Sequence, residues 1–108
     1  MAWVVETWGK SVDAEIEALP RDIRARLERF RIEIEAFGPM SLPKSHAKYL
    51  GGGLWELRLS GRDGIARVIY VTVVIRRVVL LRAFVKKTQK TPKGEIEIAR
   101  KRAKGLLT

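Results

Sequence analysis

The chain has no cysteine and a single histidine. Without thiols there is no disulfide, which suits a cytosolic protein, and a structural zinc site or a nucleophile driven by a histidine base lacks its parts. No dinucleotide-binding or P-loop glycine pattern occurs, so the triplet Gly51, Gly52 and Gly53 reads as a hinge or bulge rather than a phosphate cradle. Acidic residues are scarce, 12 against 22 Lys and Arg, and they form no cluster suited to a two-metal nuclease. Neither metal nor cofactor is expected. The longest apolar run, Val68 to Ile75, is bracketed by Arg67, Arg76 and Arg77 and falls far short of the ~20 residues of a spanning helix, so no membrane role is expected. The first apolar run contains Glu6 and follows no basic segment, so no signal peptide is expected and the chain reads as cytoplasmic. There is no internal repeat.

What the chain has in excess is positive charge, +10 over 108 residues. A field of that size attracts polyanions, and nucleic acid is the leading partner class. The length allows one domain, residues 1–108, with a single modest core.

About a third of the chain, Leu54 to Lys87, holds ten of the nineteen Val and Ile residues and reads as three strands. In the first, Leu54 to Leu59, alternation sends Trp55, Leu57 and Leu59 to one face and Glu56 and Arg58 to the other. Gly61 and Gly64 bracket a turn, and the chain returns through Ile65 to Val74 with one charge, Arg67, as a central strand does. Val78 to Val85 forms the third strand, with Arg82 inside it and Lys86 and Lys87 at its end. The reversal near Arg76 contains no turn-forming residue and is inferred from length alone. Ala2 to Thr7 is a further strand that joins the sheet. Between them lies a helical hairpin. Its first helix starts with Ser11 as N-cap and closes at Pro20; the second runs from Arg21 to Phe37 on the stripe Ile23, Leu27, Phe30, Ile34 and Phe37. Gly38 and Pro39 stop it. Met40 to Gly53 reads as a loop carrying Lys44, His46, Lys48 and Tyr49. A basic, loosely docked helix, capped by Thr91 with Pro92 in its first turn, runs to about Leu106. The fold class is α+β.

If register allows, the strand cations gather on one sheet surface. Metal-free cleavage of RNA needs little more, because the substrate supplies its own 2′-OH nucleophile and the protein aligns it and stabilises a crowded phosphorane. Arg58, Arg67, Arg82, Lys86 and Lys87 are the phosphate-binding candidates, and Arg suits bidentate contact. For proton transfer the candidates are His46, Lys48, Lys86 and Glu56. Each has a plainer reading. Glu56 and Arg58 can pair with each other on a solvated face, His46 can be a surface histidine, and Trp55 and Phe84 can be core; Tyr49 and Tyr70 stay undecided. Arg67, on a central strand, must find an anion or reach the sheet surface. A buried ion pair there, or cations scattered over opposite faces, would sink the ribonuclease reading and leave only the fold.

The segments LWELR (Leu54 to Arg58), RVIYV (Arg67 to Val71), VVLLRAFVKKTQKTP (Val78 to Pro92) and EIEIA (Glu95 to Ala99) resemble the phage-derived, HigB-like branch of the RelE/ParE toxin superfamily. The order of elements matches as well: short strand, helical hairpin, curved antiparallel sheet, basic C-terminal helix. The resemblance implies the toxin of a type II toxin–antitoxin pair, an endoribonuclease cutting mRNA in the ribosomal A site to leave a 2′,3′-cyclic phosphate and a 5′-OH. It puts Arg58 and Arg67 on the concave sheet face and Lys86 and Lys87 at the end of the last strand, where catalytic or phosphate-binding groups sit. His46, Lys48, Arg82 and Glu56 support them. Family members commonly carry His in LLHxFVKK, where this chain has Arg82. An antitoxin, often with a helix-turn-helix domain, is the implied partner besides mRNA and the ribosome. A ParE-like gyrase binder without catalysis, or a weakened RelE-fold binding protein, are the alternatives.

Overall fold

The computed structural model describes residues 2–86 and 90–106. Chain order is β1 (Val4–Thr7), α1 (Lys10–Glu17), α2 (Arg21–Phe37), a 3-10 turn (Pro39–Ser41), β2 (Ala47–Gly51), β3 (Leu54–Gly61), β4 (Gly64–Val73), β5 (Arg77–Lys86) and α3 (Lys93–Ala103). One five-stranded sheet runs β1-β5-β4-β3-β2. It is mixed rather than wholly antiparallel, since β1 pairs with β5 in the parallel sense while the other neighbours alternate. Parallel neighbours need a long connection, and here all the intervening elements supply it.

Strand alternation divides the core in two. Leu57, Leu59, Ala66, Val68, Tyr70, Val78 and Leu80 face the helical hairpin, which contributes Val12 from α1, Leu19 from the connection, and Ile23, Leu27 and Ile34 from α2. On the other face Leu54, Ile69, Val71, Val79, Leu81 and Phe84 meet α3. The contact with α3 is close, because Ala99 and Ala103 are buried and bring no bulk between helix and sheet. The expectation of a loosely docked helix is therefore corrected.

A bulge decides which face the end of β5 presents. Tyr70 pairs with Leu80 and Ile69 with Arg82, so Leu81 is an extra residue. Alternation then restarts out of step, and Phe84 and Lys86 lie on the α3 face with Arg67. Without the bulge, with Leu81 itself paired to Ile69, they would sit on the opposite side.

Three local expectations also change. Met40 to Gly53 is not a continuous loop, since it holds the 3-10 turn and the edge strand β2; Gly51, Gly52 and Gly53, all with positive φ, close the β2–β3 hairpin. Phe37, expected in the core, is the last residue of α2 and 75% exposed. Neither Ser11 nor Thr91 caps a helix: Gly9 precedes α1, Pro92 precedes α3, and the Thr91 hydroxyl is engaged elsewhere.

Candidate nucleic-acid interface

Register places Arg58 of β3 directly opposite Arg67 of β4. Like charges so paired, with Cβ atoms about 5 Å apart, repel unless an anion sits between them. Glu56, two residues before Arg58 and so on the same face, supplies it. Its Oε1 lies 3.2 Å from Arg67 Nε and 3.3 Å from Arg58 Nε. Its Oε2 accepts from the Thr91 hydroxyl, which ties the segment entering α3 to the sheet. Arg67 Nη1 donates to the Ala66 carbonyl at 3.0 Å. Glu56 is 1% exposed and Arg67 7%, so the pair is buried, while the Arg58 side chain keeps 36% of its surface. The reading of Glu56 on a solvated face is corrected.

Lys86 closes the cluster. It pairs with Ile65, two positions along from the Arg67–Phe84 pair, and is buried. Burial pushes its pKa below the ordinary lysine value, the Arg67 charge pushes the same way, and Glu56 opposes both. Arg58 and Lys48 add to the lowering. Lys48, on β2 opposite Glu56, is exposed. Arg67 is also lowered, first by burial, with Glu56 opposing. Counting Arg58, Arg67 and Lys86 against Glu56 gives three positive charges and one negative, an excess of two.

Other candidates are placed elsewhere. His46 sets its ring 5.2 Å from that of Phe30 on α2, across the sheet from the cluster, and only its carbonyl takes part by accepting the Arg58 N–H at 2.8 Å. Arg82 is held by two carboxylates, Nε to Glu95 at 2.6 Å and Nη1 to Glu15 at 2.7 Å, so its guanidinium joins α1, β5 and α3. Lys87 lies outside the described residues. Among the described residues no three His, Cys, Asp or Glu group as metal ligands, and no helix is long and apolar enough to cross a membrane.

Sequence reasoning missed the carboxylate that organises the free edge of β5. Beyond Leu80, where β1 ends, Glu15 Oε1 accepts the Ala83 N–H at 3.1 Å, and Arg102 donates to the Leu81 carbonyl at 2.7 Å while lying over the Trp8 ring. Nothing in the local pattern of α1 sets Glu15 apart from Asp13 or Glu17. Its only sequence signal is a place on the α1 side nearest a cation-bearing strand.

A mixed sheet with a helical hairpin on one face, a C-terminal helix on the other, and clustered strand cations beside that helix is the α+β fold of RelE. Over 99% of this chain and 100% of the other, it matches the toxin RelE of E. coli, solved in the free state as a double arginine-to-alanine mutant, with TM-score 0.62 and 15% identity. An archaeal RelE–RelB complex from Pyrococcus horikoshii OT3 matches with TM-score 0.54 and 24% identity over 79% of this chain and 96% of that one. The chain belongs to the family described as phage derived protein Gp49-like (DUF891), whose pattern matches residues 14–104. No curated protein sequence matches it.

Proposed function

We propose that this protein is the toxin of a toxin–antitoxin pair and that it cleaves mRNA on the ribosome without a metal. The carrying observation is the cluster of Arg58, Arg67 and Lys86 around one buried carboxylate, whose excess positive charge suits a phosphate that gains negative charge on the way to cleavage. Fold likeness to a RelE toxin, and to a RelE solved with RelB, supports the reading and supports an antitoxin partner, with a helix-turn-helix domain as the expected form.

The reaction needs the 2′-oxygen to lose its proton and attack the adjacent phosphorus. As the new P–O bond forms, the bond to the 5′-oxygen breaks and that oxygen takes a proton, leaving a 2′,3′-cyclic phosphate and a 5′-OH. Arg58, the exposed guanidinium, binds the non-bridging oxygens. Lys86, biased toward its neutral form, moves a proton. Arg67 does not act on the phosphate as first expected: the buried ion pair that counts against the ribonuclease reading is present, and the reading is kept on Arg58 and Lys86 instead. Paired with Glu56, it aligns Arg58 and adds to the local field, which makes it a positioning residue. Lys48 steers the strand, and His46 and Arg82 have structural parts.

A specific observation favours a second reading. Two arginines that could have served the substrate, Arg67 and Arg82, are already paired with carboxylates, as in a RelE-fold binder that has given up catalysis. Purified protein with translating ribosomes separates the two. Mapping 5′-OH ends should show A-site cuts that fall at least a hundredfold in Arg58→Ala. Intact mRNA would overturn the nuclease reading, and inhibited gyrase beside it would point to a ParE-like toxin.

A further inference from the structure

A groove of about 450 Å³ runs along the outer strand of the sheet, lined by Lys44, Ala47, Lys48, Tyr49, Trp55 and Arg58. It shares Arg58 with the cluster around Glu56, and it wraps the edge of the sheet, with Lys48 and Arg58 on the α3 side and Tyr49 and Trp55 on the hairpin side. Three of its six residues are cations and none is acidic. Its aromatic wall is fixed. Tyr49 and Trp55 are cross-strand partners with ring centroids 5.0 Å apart and planes tilted by 55°. The Tyr49 hydroxyl accepts the Gly53 N–H at 3.0 Å, and Trp55 is anchored against the helix-side core. Tyr49 nevertheless keeps 52% of its surface exposed. A large ring held in place and left open to solvent beside cations is what a base needs to stack on while its phosphate is neutralised.

We propose that this groove is the subsite for one base of the single-stranded RNA, flanking the phosphate held by Arg58. The base stacks on Tyr49, Trp55 supports that ring from beneath, and Lys44 and Lys48 take the next phosphate. This inference rests on the ribonuclease reading, and it places a specificity element on β2 and β3, away from the α3 end of the cluster.

Fluorescence anisotropy with a short 2′-O-methyl oligoribonucleotide, which has no 2′-OH to attack with, tests it on the full chain. Tyr49→Leu should weaken binding about tenfold, the size of one lost base stack, while Tyr49→Phe should bind within about twofold of the parent. An abasic position walked along the strand should reproduce that loss at one place in the parent and add nothing there in Tyr49→Leu. If Tyr49→Leu binds like the parent while Arg58→Ala is weakened, the subsite is wrong and the phosphate cluster stands. If neither variant changes the affinity, the ribonuclease reading falls with it. A Tyr49→Leu loss equal for intact and abasic strands at every position would overturn stacking. A Tyr49→Leu variant that holds RNA normally but loses an acidic protein partner would make the groove a protein interface instead.

Discussion

Replacing Glu56 by leucine removes the only carboxylate between Arg58 and Arg67, with little change of volume. Arg58 can turn toward water, because over a third of its side chain is already exposed. Arg67 cannot, since it is 7% exposed in a central strand. A buried charge stripped of its partner costs about 3–5 kcal/mol, and the Thr91 contact to the segment before α3 is lost as well. We expect Glu56→Leu to lose about 3 kcal/mol, a large share of the stability of a domain this size, and to lower Tm by about 12 °C. Urea unfolding at pH 7 measures it, with an unchanged m-value showing that the unfolded reference is the same. The double variant Glu56→Leu/Arg67→Met removes both charges and should recover most of the loss. A cost below about 1 kcal/mol, or a double variant no more stable than the single, would refute the claim that a buried pair holds this face together.

Further outcomes follow from other parts of the molecule. Arg82→Met, which frees Glu15 and Glu95, should cost about 1–2 kcal/mol in urea unfolding while leaving ribosome-dependent cleavage within about twofold of the parent. Gly61→Ala places a Cβ 2.6 Å from Cγ1 of the fully buried Ile23 and 2.7 Å from Asp22, and should lose about 2 kcal/mol by thermal melting. Burial pushes the Tyr70 pKa up to about 12 from 10.0. Between those values the unfolded chain releases a proton that the folded one keeps, so stability should fall by about 1.4 kcal/mol per pH unit there, and Tyr70→Phe should flatten that limb. Oligoribonucleotide affinity should fall with salt at a log–log slope of about −0.7 per phosphate contact, and Arg58→Ala should reduce the slope by about that amount.

The parts of the fold written in local pattern were legible. Strand β3 alternates apolar and polar residues up to the Gly61–Gly64 turn, β4 and β5 are runs rich in Val, Ile and Leu, and α2 shows an apolar stripe ended by Gly38 and Pro39. What could not be read depends on long-range pairing. Strand β2 is short, holds a lysine and ends in glycines, and becomes a strand only because β3 offers it an edge. The parallel sense of β1 leaves no mark in its own residues. Arg76, at φ 52, turns the chain between β4 and β5 without glycine or asparagine, so only strand length gave that turn away. At the site, composition and alternation put Glu56, Arg58 and Arg67 on one face. They did not reveal that Glu56 would be buried and shared by both arginines, because burial on that face comes from Thr91 and the approach to α3, thirty-odd residues later. Arg82 was misread for a similar reason. Its two carboxylates sit on α1 and α3, far apart in sequence and adjacent only across the rim of β5.

The surplus residue at Leu81 works as a half-step in the weave of β5. Upstream of it the strand obeys one rhythm, fitted to β1 and the hairpin; downstream it obeys the opposite one, which brings Lys86 to the face of Arg67 and Glu56. Straightening the strand with that residue kept, so that Leu81 itself faced Ile69, would leave the composition untouched and yet send Lys86 through the sheet to the far side, away from Arg67. Conversely, the two halves of the strand are free to diverge independently, so a lineage could retool the business end of β5 without disturbing the half that builds the core.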